Sequence, residues 1–197
     1  MAGPDHPMRK VTRQVAFEPD GWTKERAEKV AQLFDALAAD WQERTSEERR
    51  APLRDALARG DVPRGGVCVE IGSGTGSSSA DLAAHFDRVV SLDLSREMLR
   101  KAADEPACRV QGDASVLPIA DASADGLVLV NALLFPAEMD RALAPAGTLV
   151  WVNSLGDRTP IHLPADDVAK ALPGDWEGIA SEAGWGTWCT LRRARTR

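Results

Sequence analysis

Val67-Cys68-Val69-Glu70-Ile71-Gly72-Ser73-Gly74-Thr75-Gly76 decides the fold of this chain. A short apolar run is broken only by Glu70, then meets glycines at alternate positions. A strand that ends in a glycine loop and opens a helix is the first turn of a doubly wound α/β sheet. There the backbone must bend sharply and let a ligand come close. Downstream, Arg88-Val89-Val90-Ser91-Leu92 reads as a second strand, ended by Asp93. Ser95 caps a helix carrying Met98, Leu99, Ala102 and Ala103. Residues 108–111, 126–130 and 147–152 read as further strands, 126–130 nearly all apolar, with helices over 77–85 and 136–143. Strands that are apolar throughout and alternate with helices specify a mostly parallel sheet covered on both faces. The tail holds a short helix over 166–172, then runs at 177–181 and 187–192 about Gly184-Trp185-Gly186. That pattern predicts an antiparallel hairpin at the sheet edge.

Upstream, the prolines and glycines of residues 1–20 read as a flexible segment, with 1–10 a loose end. Ala27, Val30, Ala31, Phe34, Leu37, Ala38 and Trp41 then recur at helical spacing. Thr45 with Glu48 has capping-box spacing for a second helix ending at Gly60, although Pro52 could mark its first turn. The chain divides into a flexible segment (1–20), a helical cap (21–60) and a ligand-binding domain (61–197). The cap is expected to fold over the crevice outside the carboxyl ends of the strands.

The formal charge of −6 argues against a nucleic-acid partner, which normally meets a basic face. No apolar run is long enough for a membrane helix, and residues 1–10 lack the apolar core of a secretory signal. Three cysteines, Cys68, Cys108 and Cys189, without a Cys-x-x-Cys pair or a histidine cluster, read as buried thiols of a cytoplasmic protein with no metal site. The chain is expected to act on a small molecule as a monomer or homodimer. His6 and His85 are expected at the surface.

Asp93 lies 21 residues beyond Gly72, where a carboxylate can accept from both ribose hydroxyls of an adenosine cofactor. A dinucleotide fingerprint requires a third glycine where this chain has Ser77. Glu70, immediately before the loop, would repel a pyrophosphate but suits an amino group and a sulfonium. The contrast favours S-adenosylmethionine over NAD.

Residues 67–82 resemble motif I of class I S-adenosylmethionine-dependent methyltransferases. Val90-Ser91-Leu92-Asp93-Leu94-Ser95-Arg96-Glu97-Met98-Leu99 resembles the second motif of their small-molecule, ubiquinone/menaquinone-type branch. Gln111-Gly112-Asp113-Ala114, Leu117-Pro118, Asp125-Gly126 and Leu143-Ala144-Pro145-Ala146-Gly147 continue the likeness in order across about residues 65–155. It implies a Rossmann-like sheet of seven strands and methyl transfer to a small molecule. It also implies residue roles. Glu70 and Gly72 lie near the methionine part of the cofactor; Ser73, Gly74 and Gly76 shape the loop. Asp93 holds the ribose, Leu94 lies against the adenine, and Met98 belongs to the same cofactor-binding set. Asp113 accepts from the adenine amino group, Ala114 offers a backbone N–H, and Asn131 lines the floor near the sulfonium. Trp41 stands where relatives carry a tyrosine over the cofactor, or packs in the core. Asn131-Ala132-Leu133-Leu134 lacks the Pro-Pro-aromatic residues of nucleic-acid amino-methyltransferases, and no Pro-Cys nucleophile occurs.

Methyl transfer is an in-line displacement in which the protein positions the acceptor and excludes water. His162, after the fifth strand, is the candidate general base, needed only for a protonated acceptor. Trp151, Trp176, Trp185 and Trp188 are candidates for an apolar substrate wall or for sheet packing. An oxygen nucleophile on an apolar or aromatic metabolite is the preferred reading. The alternatives are an NAD(P)-dependent oxidoreductase and a non-catalytic S-adenosylmethionine-binding scaffold.

Overall fold

The computed structural model describes residues 5–41, 45–102 and 107–194. Ala103, expected in the helix after the second strand, lies outside them. Seven strands form one sheet in the order β3-β2-β1-β4-β5-β7-β6. They are β1 (Val67–Ile71), β2 (Arg88–Asp93), β3 (Cys108–Gln111), β4 (Ala124–Val130), β5 (Leu143–Asn153), β6 (Trp176–Ala183) and β7 (Gly186–Arg193). The first five pair in parallel, whereas β7 runs antiparallel to both β5 and β6. This is the expected sheet, hairpin included. The order reverses between β1 and β4, and a ligand crevice opens there, outside the carboxyl ends of the strands.

Alternate side chains of the central strands feed two cores. Leu127 and Leu129 of β4 face one, with Val69, Ile71, Leu149 and Trp151. Val128 faces the other, with Cys68, Val89, Val150, Val152 and Trp188. The first is closed by α1 (Pro7–Phe17), α6 (Pro136–Ala142) and α7 (Ala165–Ala171), and the second by α3 (Glu47–Arg59) and the short α4 (Ser79–Ala83).

The N-terminal region departs from expectation. Pro7–Phe17 is a helix, where a flexible segment was read. Pro7 takes the first helical position and His6 caps it, accepting from the Met8 N–H. Met8, Thr12, Val15 and Ala16 then fall on one buried face. The 21–60 cap also divides. α3 is a layer of the sheet, burying Leu53, Ala56 and Leu57. α2 (Lys24–Leu37), with Trp22 before it and Trp41 after it, lies over the crevice, and none of the residues of α2 is buried. The N-cap of α3 is Ser46, not Thr45, and Pro52 sits inside the helix. Lacking an N–H, Pro52 leaves the Glu48 carbonyl without its helical donor. The Trp185 N–H of the β6–β7 turn donates to it instead.

Two surface expectations fail. His85 is buried, with Nε2 against the Val62 and Pro63 carbonyls, and His6 is half-buried at its cap. Cys108 opens the edge strand β3 and is exposed, while Cys68 and Cys189 are buried. No helix among the described residues is long and apolar enough to cross a membrane, and no cluster of metal-binding side chains occurs among them.

Candidate active site

The crevice is a cavity of about 960 Å³, counted to its open mouth, between the carboxyl ends of β1, β2 and β4 and the overlying α2. Its wall brings together Trp41, Glu70, Gly72, Ser73, Gly74, Asp93, Leu94, Met98, Asp113, Ala114 and Asn131. Gly76 and His162, also candidates, are not part of the wall.

The loop after β1 is built for close approach. Gly72 has φ +67°, and a Cβ there would lie 2.8 Å from that of Ala132. Gly74 has φ +56°, beneath the Trp41 indole, whose Nε1 lies 3.5 Å from where a Cβ would sit. Its N–H donates to Asp93 Oδ2 at 2.7 Å, and the Ser95 N–H donates to Oδ1 at 2.8 Å. These bonds orient Asp93 and leave each oxygen capacity for another donor. Burial pushes the Asp93 carboxyl above its ordinary pKa, against the pull of the backbone donors. Glu70 is 2 % exposed. The hydroxyls of Ser79 and Ser91 both donate to its Oε2, at 2.7 and 2.6 Å. Desolvation nonetheless raises its pKa to about 7. Asp113 accepts from the Ser115 N–H at 2.8 Å and from the Trp22 indole at 3.1 and 2.9 Å. Asn131 turns the chain at the end of β4 with φ +53°. Its amide exchanges two 2.8 Å bonds with Ser154, tying the ends of β4 and β5 together.

His162 belongs to a second, shallower depression beside Asn153 and Thr187. An Arg9 guanidinium nitrogen lies 3.4 Å from its Nδ1, and Asp157 Oδ1 lies 3.3 Å from its Nε2. Burial first, then Arg9, holds its pKa below the ordinary value, so it is neutral at pH 7. Its neighbour Ile161 lines the main cavity instead. Nor do the C-terminal tryptophans form that wall. Trp151 and Trp188 are core residues, their indoles donating to Leu163 O and Asp55, while Trp185 is exposed.

Sequence reasoning missed Trp22, Leu133, Phe135 and Ile161, all in the wall. Val30 and Phe34, part of the helical stripe, also face the cavity. Leu133 and Phe135 follow β4, where such crevices open, and position alone could have flagged them. Trp22 stands alone between Gly21 and Thr23 and belongs to no periodic pattern.

Among the described residues, the wall carries three carboxylates and no lysine, arginine or histidine. That set fits a ligand with a cationic amino group, a sulfonium, ribose hydroxyls and an adenine amino group. It does not fit a pyrophosphate. The Gly74 N–H is already given to Asp93, and the three carboxylates would repel a phosphate.

Residues 69–150 match the family model described as "Methyltransferase domain". The chain is 31% identical to the malonyl-[acyl-carrier protein] O-methyltransferase of Dechloromonas aromatica, over 86% of this chain and 70% of that protein. It is 34% identical to the demethylmenaquinone methyltransferase of Thermobifida fusca, over 73% of this chain and 66% of that protein. In fold it resembles a solved DhpI-SAM-HEP complex, with a TM-score of 0.68 at 20% identity over 87% of this chain and 99% of that one. With the relatives, the acidic crevice and the sheet order in agreement, the chain belongs to the small-molecule branch of the class I S-adenosylmethionine-dependent methyltransferases.

Proposed function

We propose that this methyltransferase transfers its methyl group to an oxygen of an apolar or aromatic metabolite. The composition of the wall carries this reading. Trp22, Phe34, Leu133, Phe135 and Ile161 form an apolar flank beside Glu70, Asp93 and Asp113. Relatives are named for acceptors as different as malonyl-acyl-carrier protein, demethylmenaquinone and trans-aconitate, so the acceptor class is argued from the wall itself. An anionic acceptor would find no counter-ion among the described wall residues, whereas a flat apolar one would find aromatic faces.

When bound, S-adenosylmethionine supplies a methyl group on a positively charged sulfur. The residues of this chain do the rest. Glu70 and Gly72 take the amino-acid end, Asp93 accepts from the ribose hydroxyls, and Asp113 with the Ala114 N–H reads the adenine. Trp41 and Phe34, 5.7 Å apart edge to face, cover the crevice and exclude water. His162 stands outside the wall, so the proton of a neutral hydroxyl acceptor, such as a phenol or enol, would leave to water rather than to an imidazole of this chain as the methyl group is transferred. The exposed Cys108 and two buried thiols suit a reducing compartment, and we place the chain in the cytoplasm, as a monomer or homodimer without a nucleic-acid partner.

Calorimetric titration with S-adenosylmethionine, S-adenosylhomocysteine and NAD, followed by turnover on neutral phenols, enols and carboxylic acids, tests the reading. Binding of the first two and methylation of a phenol or enol is expected. Turnover confined to carboxylates would overturn the acceptor class. Tight binding with no turnover on any panel would favour a scaffold role.

A further inference from the structure

Trp22 joins the N-terminal segment to the far bank of the crevice. Its indole N–H reaches both oxygens of Asp113, at 3.1 and 2.9 Å, and its ring meets Phe135 edge to face at a centroid distance of 5.3 Å. The Ser115 N–H holds Asp113 Oδ1 from the other side at 2.8 Å. A carboxylate can turn about its terminal torsion, which is broad. A donor shared between its two oxygens fixes the plane of the group. Trp22 is itself fixed, by Phe135 at the start of α6 and by Thr23, the N-cap of α2.

We infer that Trp22 is a positioning residue for base recognition: its indole N–H sets the plane of Asp113 so that the carboxylate selects a purine amino group over a purine keto group. The inference rests on the reading of Asp113 as the adenine acceptor. A fixed carboxylate offers the base only acceptors. An amino group donates to it, whereas a keto oxygen at the same position meets a negative oxygen. A carboxylate free to turn would evade the keto oxygen and lose selectivity. A carboxylate has about four lone-pair sites. The Trp22 and Ser115 bonds leave room for one further donor, so Trp22 and the base can hold the group together.

The test compares S-adenosylhomocysteine with its inosine analogue, by calorimetric Kd, on wild type, Trp22→Phe, Asp113→Ala and the double variant. Trp22→Phe keeps an aromatic ring beside Phe135 and removes the donor with part of the indole, a packing loss that the Asp113→Ala background reports separately. It is expected to weaken S-adenosylhomocysteine about tenfold, because the base loses its own hydrogen bond to the mis-set carboxylate, and to narrow the preference over the inosine analogue by a similar factor. In the Asp113→Ala background it should add nothing. Equal weakening for both compounds, or the same loss without Asp113, would make Trp22 a mere wall residue. A preference that survives Asp113→Ala would instead remove Asp113 as the adenine acceptor, and with it the inference. Wild type gives an independent reading by nitrogen-15 NMR: the Trp22 indole proton should stay protected from exchange when S-adenosylhomocysteine saturates the site. Loss of that protection would show the base displacing Trp22 and would overturn the proposal even if Trp22→Phe failed to fold.

Discussion

Glu70, Asp93 and Asp113 each combine negative charge with different local donors, and those donors divide their work. Asp93 is oriented by two backbone N–H groups, so its oxygens are aimed before a ligand arrives. Asp93→Ala should weaken S-adenosylmethionine by roughly 1.5–3 kcal/mol, the range for hydrogen bonds to a charged group. Unchanged affinity by calorimetry in a folded variant would take Asp93 out of the site. Gly74 is constrained differently. A Cβ there meets no hard clash, only the Trp41 edge, but φ +56° is strained for a branched residue. Gly74→Val should therefore nearly abolish cofactor binding while circular dichroism stays native; normal binding would reduce the loop to a simple turn. His162 is held neutral by its burial and by Arg9, against the pull of Asp157, outside the cavity wall. His162→Ala should keep at least about a tenth of wild-type turnover, because losing a true general base typically costs about 100-fold. A loss of that larger size with intact cofactor affinity would assign His162 to the chemistry.

At the scale of elements, α2 stands apart from the rest. It buries no residue of its own and sets Val30 and Phe34 over the crevice. One polar fastening is Asp35, which accepts from the Ser95 hydroxyl and the Glu97 N–H and so serves the N-terminus of α5 (Arg96–Lys101). A helix held by few buried contacts opens easily, and a ligand beneath it adds the missing ones. Hydrogen exchange should show protection within residues 15–45 on adding S-adenosylhomocysteine. Equal protection in both states would make α2 a rigid layer, and a folded deletion of 1–45 with full turnover would end the idea of a cover. The sheet was legible because fully apolar runs ended by glycine or aspartate admit few alternatives to parallel strands. The α1 helix was not, although Met8, Thr12, Val15 and Ala16 carry its period, because proline and glycine counts masked a start at His6-Pro7. The stripe from Ala27 to Trp41 was legible as a helix and was expected over the crevice, where Val30, Phe34 and Trp41 lie; which of its residues face the cavity was not legible, since an apolar face looks the same whether it meets a core or a ligand. His162 was misplaced because neighbours in an extended segment point opposite ways, and Ile161 took the cavity side.

For the whole molecule, a crevice of buried carboxylates sets a conflict between stability and binding. Glu70 has an unfolded pKa near 4.5 and a folded one of about 7. Between those values the native state holds a proton that the unfolded chain has released, so stability falls as pH rises through this window. The size is on the order of 3 kcal/mol for a shift of this magnitude, and Asp93, also raised, acts in the same direction. Two other kinds of group must be separated from this. Glu138 and Asp55 are lowered by Arg141 and Arg59, and their contribution is lost only below the ordinary carboxylate range. His162 is lowered, so stability from it grows as pH rises toward 6.5, against Glu70. Comparing wild type with Glu70→Gln cancels both. Glu70→Gln should gain stability relative to wild type as pH rises from about 5 to 8, in paired denaturant melts of the free protein. Cationic cofactor favours ionised Glu70, so binding to wild type should release protons below about pH 7 and tighten as pH rises, and Glu70→Gln should lose both effects. The proton count follows from calorimetry in buffers of different ionisation enthalpy. A wild-type stability curve parallel to that of Glu70→Gln across this window, with no proton released on binding, would mean that Glu70 is ionised in the free protein, its two serine hydroxyls outweighing its burial.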